Sequence, residues 1–300
     1  MTETVRAGRR RVPLSHPDKE LFPAAGVTKR DLAEHYALVA PLMVPLVHDH
    51  PVAMQAFPGG VDGPGYFMKN VPDHFPGWIR RVTVAKRGGS LTHLLPNDAA
   101  TLVYMANQNV ITPHVWTSRA DKPRHPDRVV FDFDPPGTRF ADVRSAARAL
   151  GEVLRDLGLA PFAMTSGSRG IHVVTPIRRR HDSEEVVGFA RGVARELAAR
   201  DPRRLTVEVR KAKREERIFV DTGRNAYAQH AVAPYAVRAR KDAPVATPLR
   251  WEELDDRALR PDRWTVRTIA ERLDDAGDAW EGFRSAARPL GPAIRQLGGD

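Results

Sequence analysis

Apolar residues in this chain recur with two distinct periods. After Thr28, positions Leu32, Tyr36, Val39 and Leu42 follow helical spacing, with Thr28 as N-cap and Asp31 at the third position. "NDAATLVYMANQNV" is also helical, and "RFADVRSAARALGEVLRDLGL" is a strong amphipathic helix ending at Gly158. "SEEVVGFARGVARELAAR" is another, with Ser183 as its cap. Between these lie short strand patterns. "WIRRVTVAKR" and "LTHLLP" suggest a hairpin across Gly88-Gly89, and "ITPHVW" and "RVVFDFD" read as single strands. "FAMTSGSRGIHVVTPI" reads as strand, Gly/Ser turn, strand, and "LTVEVRKAKREERIFVDTG" as two strand-like pieces around a charged stretch. The region from about Pro51 to Pro76 is Gly- and Pro-rich, hence strand plus loops. Residues 1–12 are basic and expected to fray. The chain after about Pro248 is expected to be mostly helical, ending in a solvated amphipathic tail. Strands and helices mix throughout, so the class is α/β or α+β in one compact unit over residues 1–300.

One strand breaks its own pattern. "VVFDFDPPG" is apolar enough to be buried, yet carries Asp132 and Asp134 two apart. Residues i and i+2 of a strand share a face. The two carboxylates therefore project together, while Phe131 and Phe133 face the core. Close carboxylates repel, and a divalent cation held by their oxygens is one economical solution. The other is a pair of acids at a strand end, each paired with an arginine.

Composition narrows the chemistry. There is no cysteine, which excludes disulfides, zinc knuckles, iron–sulfur clusters and thiol nucleophiles. Any metal must take oxygen or imidazole ligands, which points to Mg²⁺ or Mn²⁺. The formal net charge is +10 at pH 7, which favours a polyanionic partner but also fits an arginine-rich soluble protein. No apolar leader or 18-residue apolar run is present, so a cytoplasmic protein without a membrane span is expected.

Two further segments strengthen the metal reading. "TSGSRGIHVV" sets Ser166, Gly167, Ser168, Arg169 and Gly170 in a turn between strands, where backbone amides could form an anion nest beside His172. It is not a Walker A loop, because no G-K-[ST] follows. "RIFVDTGRNAYAQHAVAPYAVRAR" repeats the first motif's logic: an apolar strand ends in a third acid, Asp221, followed by Asn225, Arg238 and Arg240. Three acids, a phosphate-binding turn and several arginines suit nucleotidyl transfer.

"FDFDPPG", "TSGSRGIHV" and "VDTGRNAYAQHAVAPYAVRAR" together resemble the three motifs of archaeo-eukaryotic primases. They resemble more closely the polymerase domain of bacterial non-homologous end-joining ligase D and its stand-alone primase-polymerase relatives. "HPDKELFPAAGVTKRDLAEHYALVAP" and "GYFMKNVPDHFPGW" extend the resemblance to roughly residues 12–265. It implies a primase-like catalytic core with an RRM-like antiparallel sheet flanked by helices. The implied activity is template-directed polymerisation with two divalent ions, Mn²⁺ preferred, from ribo- or deoxyribonucleoside triphosphates.

The same resemblance implies residue roles. Asp132, Asp134 and Asp221 would hold the metals. Ser166, Arg169, His172, His114 and Arg238 would hold the nucleotide. Lys19 and Lys29 would clasp a downstream 5′-phosphate, Tyr66 and Phe67 would stack on the template, and Arg214 would face DNA. Gapped or broken DNA with a 5′-phosphate is the implied partner, together with Ku and an ATP-dependent ligase, at the nucleoid.

The chain departs from the family at three places. Arg169 stands where Lys is common. Thr222-Gly223-Arg224 replaces a run that tends to hold Trp and Gln. Met54 and Gln55 stand where a basic residue is usual. Other readings are a non-catalytic DNA-end-binding module, a D-x-D phosphatase, disfavoured by Pro136, and a D-x-D sugar transferase, which leaves the 5′-phosphate lysines unexplained.

Overall fold

The computed structural model describes residues 3–86, 88–137 and 139–298. In chain order the elements are β1 (Thr4–Ala7), β2 (Arg10–Pro13), β3 (Glu20–Phe22), β4 (Val27–Thr28), α1 (Lys29–Val47), β5 (Val52–Ala56), β6 (Tyr66–Met68), β7 (Arg81–Lys86), β8 (Gly89–Leu94), α2 (Ala99–Asn107), β9 (Val110–Trp116), β10 (Arg128–Asp134), α3 (Phe140–Asp156), β11 (Phe162–Thr165), β12 (Ile171–Pro176), α4 (Ser183–Arg200), β13 (Leu205–Thr206), β14 (Ile218–Asp221), β15 (His230–Val232), β16 (Pro248–Leu249), α5 (Ile269–Ala276) and α6 (Gly291–Gly298). The mixed α/β class read from the sequence is the class of the structure. The chain divides into two compact units. Unit 1 runs to Trp116 and takes back Val232–Ala246 and Trp264–Gly277; unit 2 takes Thr117–Ala231, Thr247–Arg263 and the chain from Asp278.

In unit 1 the Thr28–Asp31 spacing forms a reciprocal capping box at the start of α1. Leu32, Tyr36, Val39 and Met43 bury the helix's apolar face. The sheet runs β9-β5-β8-β7, with β6 on β5. The β7–β8 hairpin closes with Lys86 opposite Gly89, as the Gly-Gly pair suggested. Of the segment expected to fray, residues 1 and 2 lie outside the described residues, and residues 4–13 are ordered. β1 and β2 pair as a hairpin and bury Val5, Ala7 and Val12, an alternation too short to stand out among the arginines.

In unit 2 a six-stranded sheet runs β13-β14-β10-β12-β11-β16, with all neighbours antiparallel except the parallel β13–β14 edge. Helix α3 packs on β12 and α4 on β10. Phe131 and Phe133 are completely buried, each worth about 1.5–3 kcal/mol of burial. The intervening Asp132 and the terminal Asp134 are only half-buried, which puts them on the sheet's other face.

Two local expectations change. The cap of α4 is Asp182, whose carboxylate accepts from the Glu184 and Glu185 amides, while Ser183 is the first helical residue. The chain after Pro248 is mostly loop, with two eight-residue helices. It is anchored by Trp280, buried, with Nε1 donating to Ala163 O at 2.8 Å and its ring stacked on Phe283. The two strand pieces read in "LTVEVRKAKREERIFVDTG" are β13 and β14, and the charged stretch between them holds a 3₁₀ turn at Lys211–Lys213.

Candidate active site

The register of unit 2 places the acids. Asp132 on β10 lies directly opposite Asp221 on β14 and directly opposite His172 on β12. Cross-strand partners share a face, so three strands present Asp221, Asp132 and His172 in a row, with Asp134 two residues along. His172 Nε2 stands 3.3 Å from Asp132 Oδ1. Asp221 is oriented by Gly223, whose backbone amide donates to Oδ1 at 2.7 Å.

Like charges directly opposite in a sheet repel, and here arginines offset them. Arg224 reaches Asp132 through Nε and Asp221 through Nη2, both at 3.6 Å. Arg169 Nη2 and Arg214 Nη1 each lie 3.2 Å from an oxygen of Asp134. Among the described residues no three carboxylate or imidazole groups are gathered closely enough to hold one ion as they are placed. The donor set nevertheless suits a hard divalent cation: three carboxylates on one face, oxygen donors only, in a cationic setting.

The loop Ser166–Gly170 joins β11 to β12 beside these acids. It differs from an open amide nest. Ser166 Oγ accepts from the Ser168 and Gly170 amides at 3.3 and 3.0 Å, so the loop is braced by its own hydroxyl. What it presents outward is the half-exposed guanidinium of Arg169. Gly170 is required by close approach: a Cβ there would stand 2.0 Å from Phe133 O.

Arg214 is held by Glu208 O and Val209 O, and its guanidinium lies 3.8 Å over the Phe219 ring. Phe219 is opposite Asp134, so Arg214 buttresses that acid from the neighbouring strand. The motif reading named two more residues without giving them a role. One is Arg224, the bridge just described. The other is Asn225, completely buried, whose side-chain amide accepts from Val130 N at 2.8 Å and donates to Val130 O at 2.7 Å. It continues the β14 ladder after the backbone has turned away, holding β10 two residues before Asp132. The only sequence signal was an Asn four residues past a strand-ending acid.

The remaining named residues lie in unit 1. Lys19 and Lys29 line one cavity of about 610 Å³ with Ser15, His16 and Asn109. Lys29 is buried; its Nζ donates to Asn107 O at 3.0 Å, and Lys19 Nζ donates to Pro58 O. Burial, with the charge of Lys19 added, holds the Lys29 ammonium below its ordinary pKa. Asn109 Oδ1, in the same wall, is buried without a hydrogen-bond partner. Tyr66 and Phe67 are 51% and 47% exposed on β6, so they are not core aromatics. The His114 ring meets Phe67 edge-on at 5.2 Å. Arg238 is half-buried, its amide donating to Pro244 O.

Comparison with known proteins agrees with this architecture. The family described as "LigD, primase-polymerase domain" matches residues 28–280. The multifunctional non-homologous end joining DNA repair protein LigD of Mycobacterium tuberculosis is 37% identical over 284 residues, covering 92% of this chain and 37% of that protein. The LigD of Pseudomonas aeruginosa is 33% identical over 298 residues, covering 98% of this chain and 35% of its own length. The chain thus spans little more than a third of these relatives. The solved structure of the polymerase domain from Mycobacterium tuberculosis ligase D in complex with DNA superposes with a TM-score of 0.87 at 34% identity, covering 93% of this chain and all of that one. This chain belongs to the LigD primase-polymerase domain family of DNA-directed nucleotidyltransferases.

Proposed function

We propose that this protein fills short gaps or extends ends during DNA break repair by template-directed nucleotide addition at the Asp132, Asp134 and Asp221 site. The observation that carries this is the row of Asp221, Asp132 and His172 across three adjacent strands, beside an arginine-bearing loop. Asp132, Asp134 and Asp221 would hold two divalent ions, Mn²⁺ or Mg²⁺. Bound there, they would lower the pKa of the primer 3′-hydroxyl and neutralise charge on the transferred phosphate.

The protein's own groups do the rest. Arg169 offers a two-pronged donor to a triphosphate, which Lys could match in charge but not in shape. His172 orients Asp132, and Ser166 keeps the loop in the conformation that presents Arg169. Arg224 balances the acids and must exchange partners when cations arrive. Arg214 holds Asp134 and, as the resemblance implies, serves the DNA side.

Unit 1 supplies the DNA-recognition groups of the family pattern. Lys19 and Lys29 take the 5′-phosphate, Tyr66 and Phe67 stack on template bases, and His114 and Arg238 are assigned to the nucleotide. The two units then work as one catalytic domain. Ku and an ATP-dependent ligase are the expected partners, in the cytoplasm at the nucleoid. Among the described residues no helix is long and apolar enough to cross a membrane.

Primer extension on a gapped duplex bearing a 5′-phosphate tests the reading, with Mn²⁺ and either rNTPs or dNTPs. Wild type should add templated nucleotides and Asp132→Ala should add none while still binding DNA. Normal extension by the variant would refute the assignment. DNA binding by wild type without addition under any metal would favour the end-binding module instead.

A further inference from the structure

A second cationic feature of unit 2 has no part in the site described above. The loop entering β10 (119–127) and the segment leaving β12 (177–182) lie side by side, because Arg128 pairs with Pro176. With seven residues in β10, this edge is about 20 Å from Asp134 along the strand. Counting Arg128, these two segments hold seven Lys or Arg residues and three Asp. The acids are committed. Asp127 pairs with Arg119 and Arg128 at 2.8 and 2.9 Å, Asp121 takes both Nη atoms of Arg179, and Asp182 caps α4. Lys122, Arg178 and Arg180 are exposed and form no ion pair among the described residues.

The surface is shaped as well as charged. Lys122, His125, Arg179 and Arg180 line a cavity of about 560 Å³, and Arg124 lines it with them. Arg124 also lines a second cavity of about 570 Å³, so the two adjoin at its side chain and are taken together as one groove. The Nε of Arg179 is buried with no acceptor, an unspent donor in the wall of the first. In the second, the Arg124 guanidinium lies 4.7 Å over the Tyr227 ring, above an apolar floor of Val187, Gly188 and Ala226. Asp182 and Glu184 in the same wall offset Arg124 and Arg191, so this end has no excess positive charge and suits a neutral group. Cations at one end and an aromatic platform with an apolar floor at the other match the alternation of phosphate and base in an unpaired strand. In a duplex the base faces are stacked on one another and cannot use the platform.

We propose that this groove binds single-stranded nucleic acid, phosphates at Lys122 and Arg180 and a base against Tyr227 and Arg124. It is a second strand-binding site, at the ends of β10 and β12 remote from the carboxylates and on the side of α4.

Fluorescence anisotropy with an oligothymidine of about 12 nucleotides, inside the ~4–16-nucleotide span of single-strand sites, tests it on the full chain. The double variant Arg124→Ala, Tyr227→Leu should weaken oligothymidine binding about tenfold, the equivalent of one lost base stack. Binding of a blunt-ended nicked duplex, which has no unpaired base, should stay the same. On wild type, oligothymidine should slow amide exchange in 119–128 and 178–182, a readout that does not depend on how the variant folds. Equal weakening for both DNAs, or no protection of these segments, overturns the proposal. So does competition by polyglutamate as strong as by unlabelled oligothymidine, which would make the groove a site for acidic chains.

Discussion

Arg224 stands between Asp132 and Asp221, and its removal should show what those acids are for. Each of its two contacts is 3.6 Å long, between groups only partly exposed. Such a pair is worth between ~1 kcal/mol in bulk water and ~4 kcal/mol near a protein surface, before desolvation and side-chain ordering are subtracted. Exposed pairs usually net ~0–1 kcal/mol. Arg224 is 39% exposed, so about 1 kcal/mol for the two contacts together is the expected contribution. Arg224→Ala should therefore lower Tm by about 2–4 °C in EDTA, scaled from domains of nearly this size. Added Mn²⁺ should remove the deficit, because a divalent ion replaces the missing charge between the carboxylates. The same substitution removes a competitor for those oxygens, and Mn²⁺ affinity should rise by about fivefold, the equivalent of ~1 kcal/mol. Scanning fluorimetry with and without Mn²⁺ measures the first effect, and titration followed by the Mn²⁺ EPR signal measures the second. An equal Tm loss under both conditions, with unchanged Mn²⁺ affinity, would show that Arg224 is an ordinary surface arginine and that the acids do not form a cation site.

Asn225→Ala should cost about 2–4 kcal/mol in urea melts, since it strands the buried Val130 amide and carbonyl; a loss under ~1 kcal/mol would mean that water takes over the ladder. The Lys29 ammonium is held below its ordinary pKa of 10.5, so its charge is lost at lower pH than a free lysine's. Preference for a 5′-phosphorylated gap should fall on the alkaline side before pH 10.5 and persist in Lys29→Arg, while a flat profile in wild type would move the phosphate elsewhere. His35 is fully buried, its Nε2 on Tyr235 O, and burial lowers its pKa from 6.5 to about 4. The fold favours the neutral ring, so stability present above pH 6.5 should decline by about 3 kcal/mol as pH falls to 4. His35→Gln should flatten that slope in urea melts, and an unchanged slope would assign the acid sensitivity to other groups.

What the sequence determined by itself was whatever depends on local period and on residue chemistry. The α1 capping box, the β7–β8 hairpin and the face alternation in "VVFDFD" follow from steric rules that act over a few residues, and the structure keeps all three. Asp132 and Asp134 were named from a same-face pair in one strand and Asp221 from a strand ending, and the family resemblance implied their role as metal ligands. Tertiary structure decided the partners. Asp132 meets both Asp221 and His172 only because β14 and β12 flank β10 in that register, pairings 89 and 40 residues apart in the chain. Nothing local reveals that Arg224 lies on two of the acids, or that Asn225 takes the place of a peptide group. Nor could it show that Ser166 Oγ consumes the amides of its own loop. The first residues and the C-terminal segment were misread for the same reason. Val5 and Val12, like Trp280, are ordered by burial against distant parts of their own units, and short weak patterns carry no record of that burial.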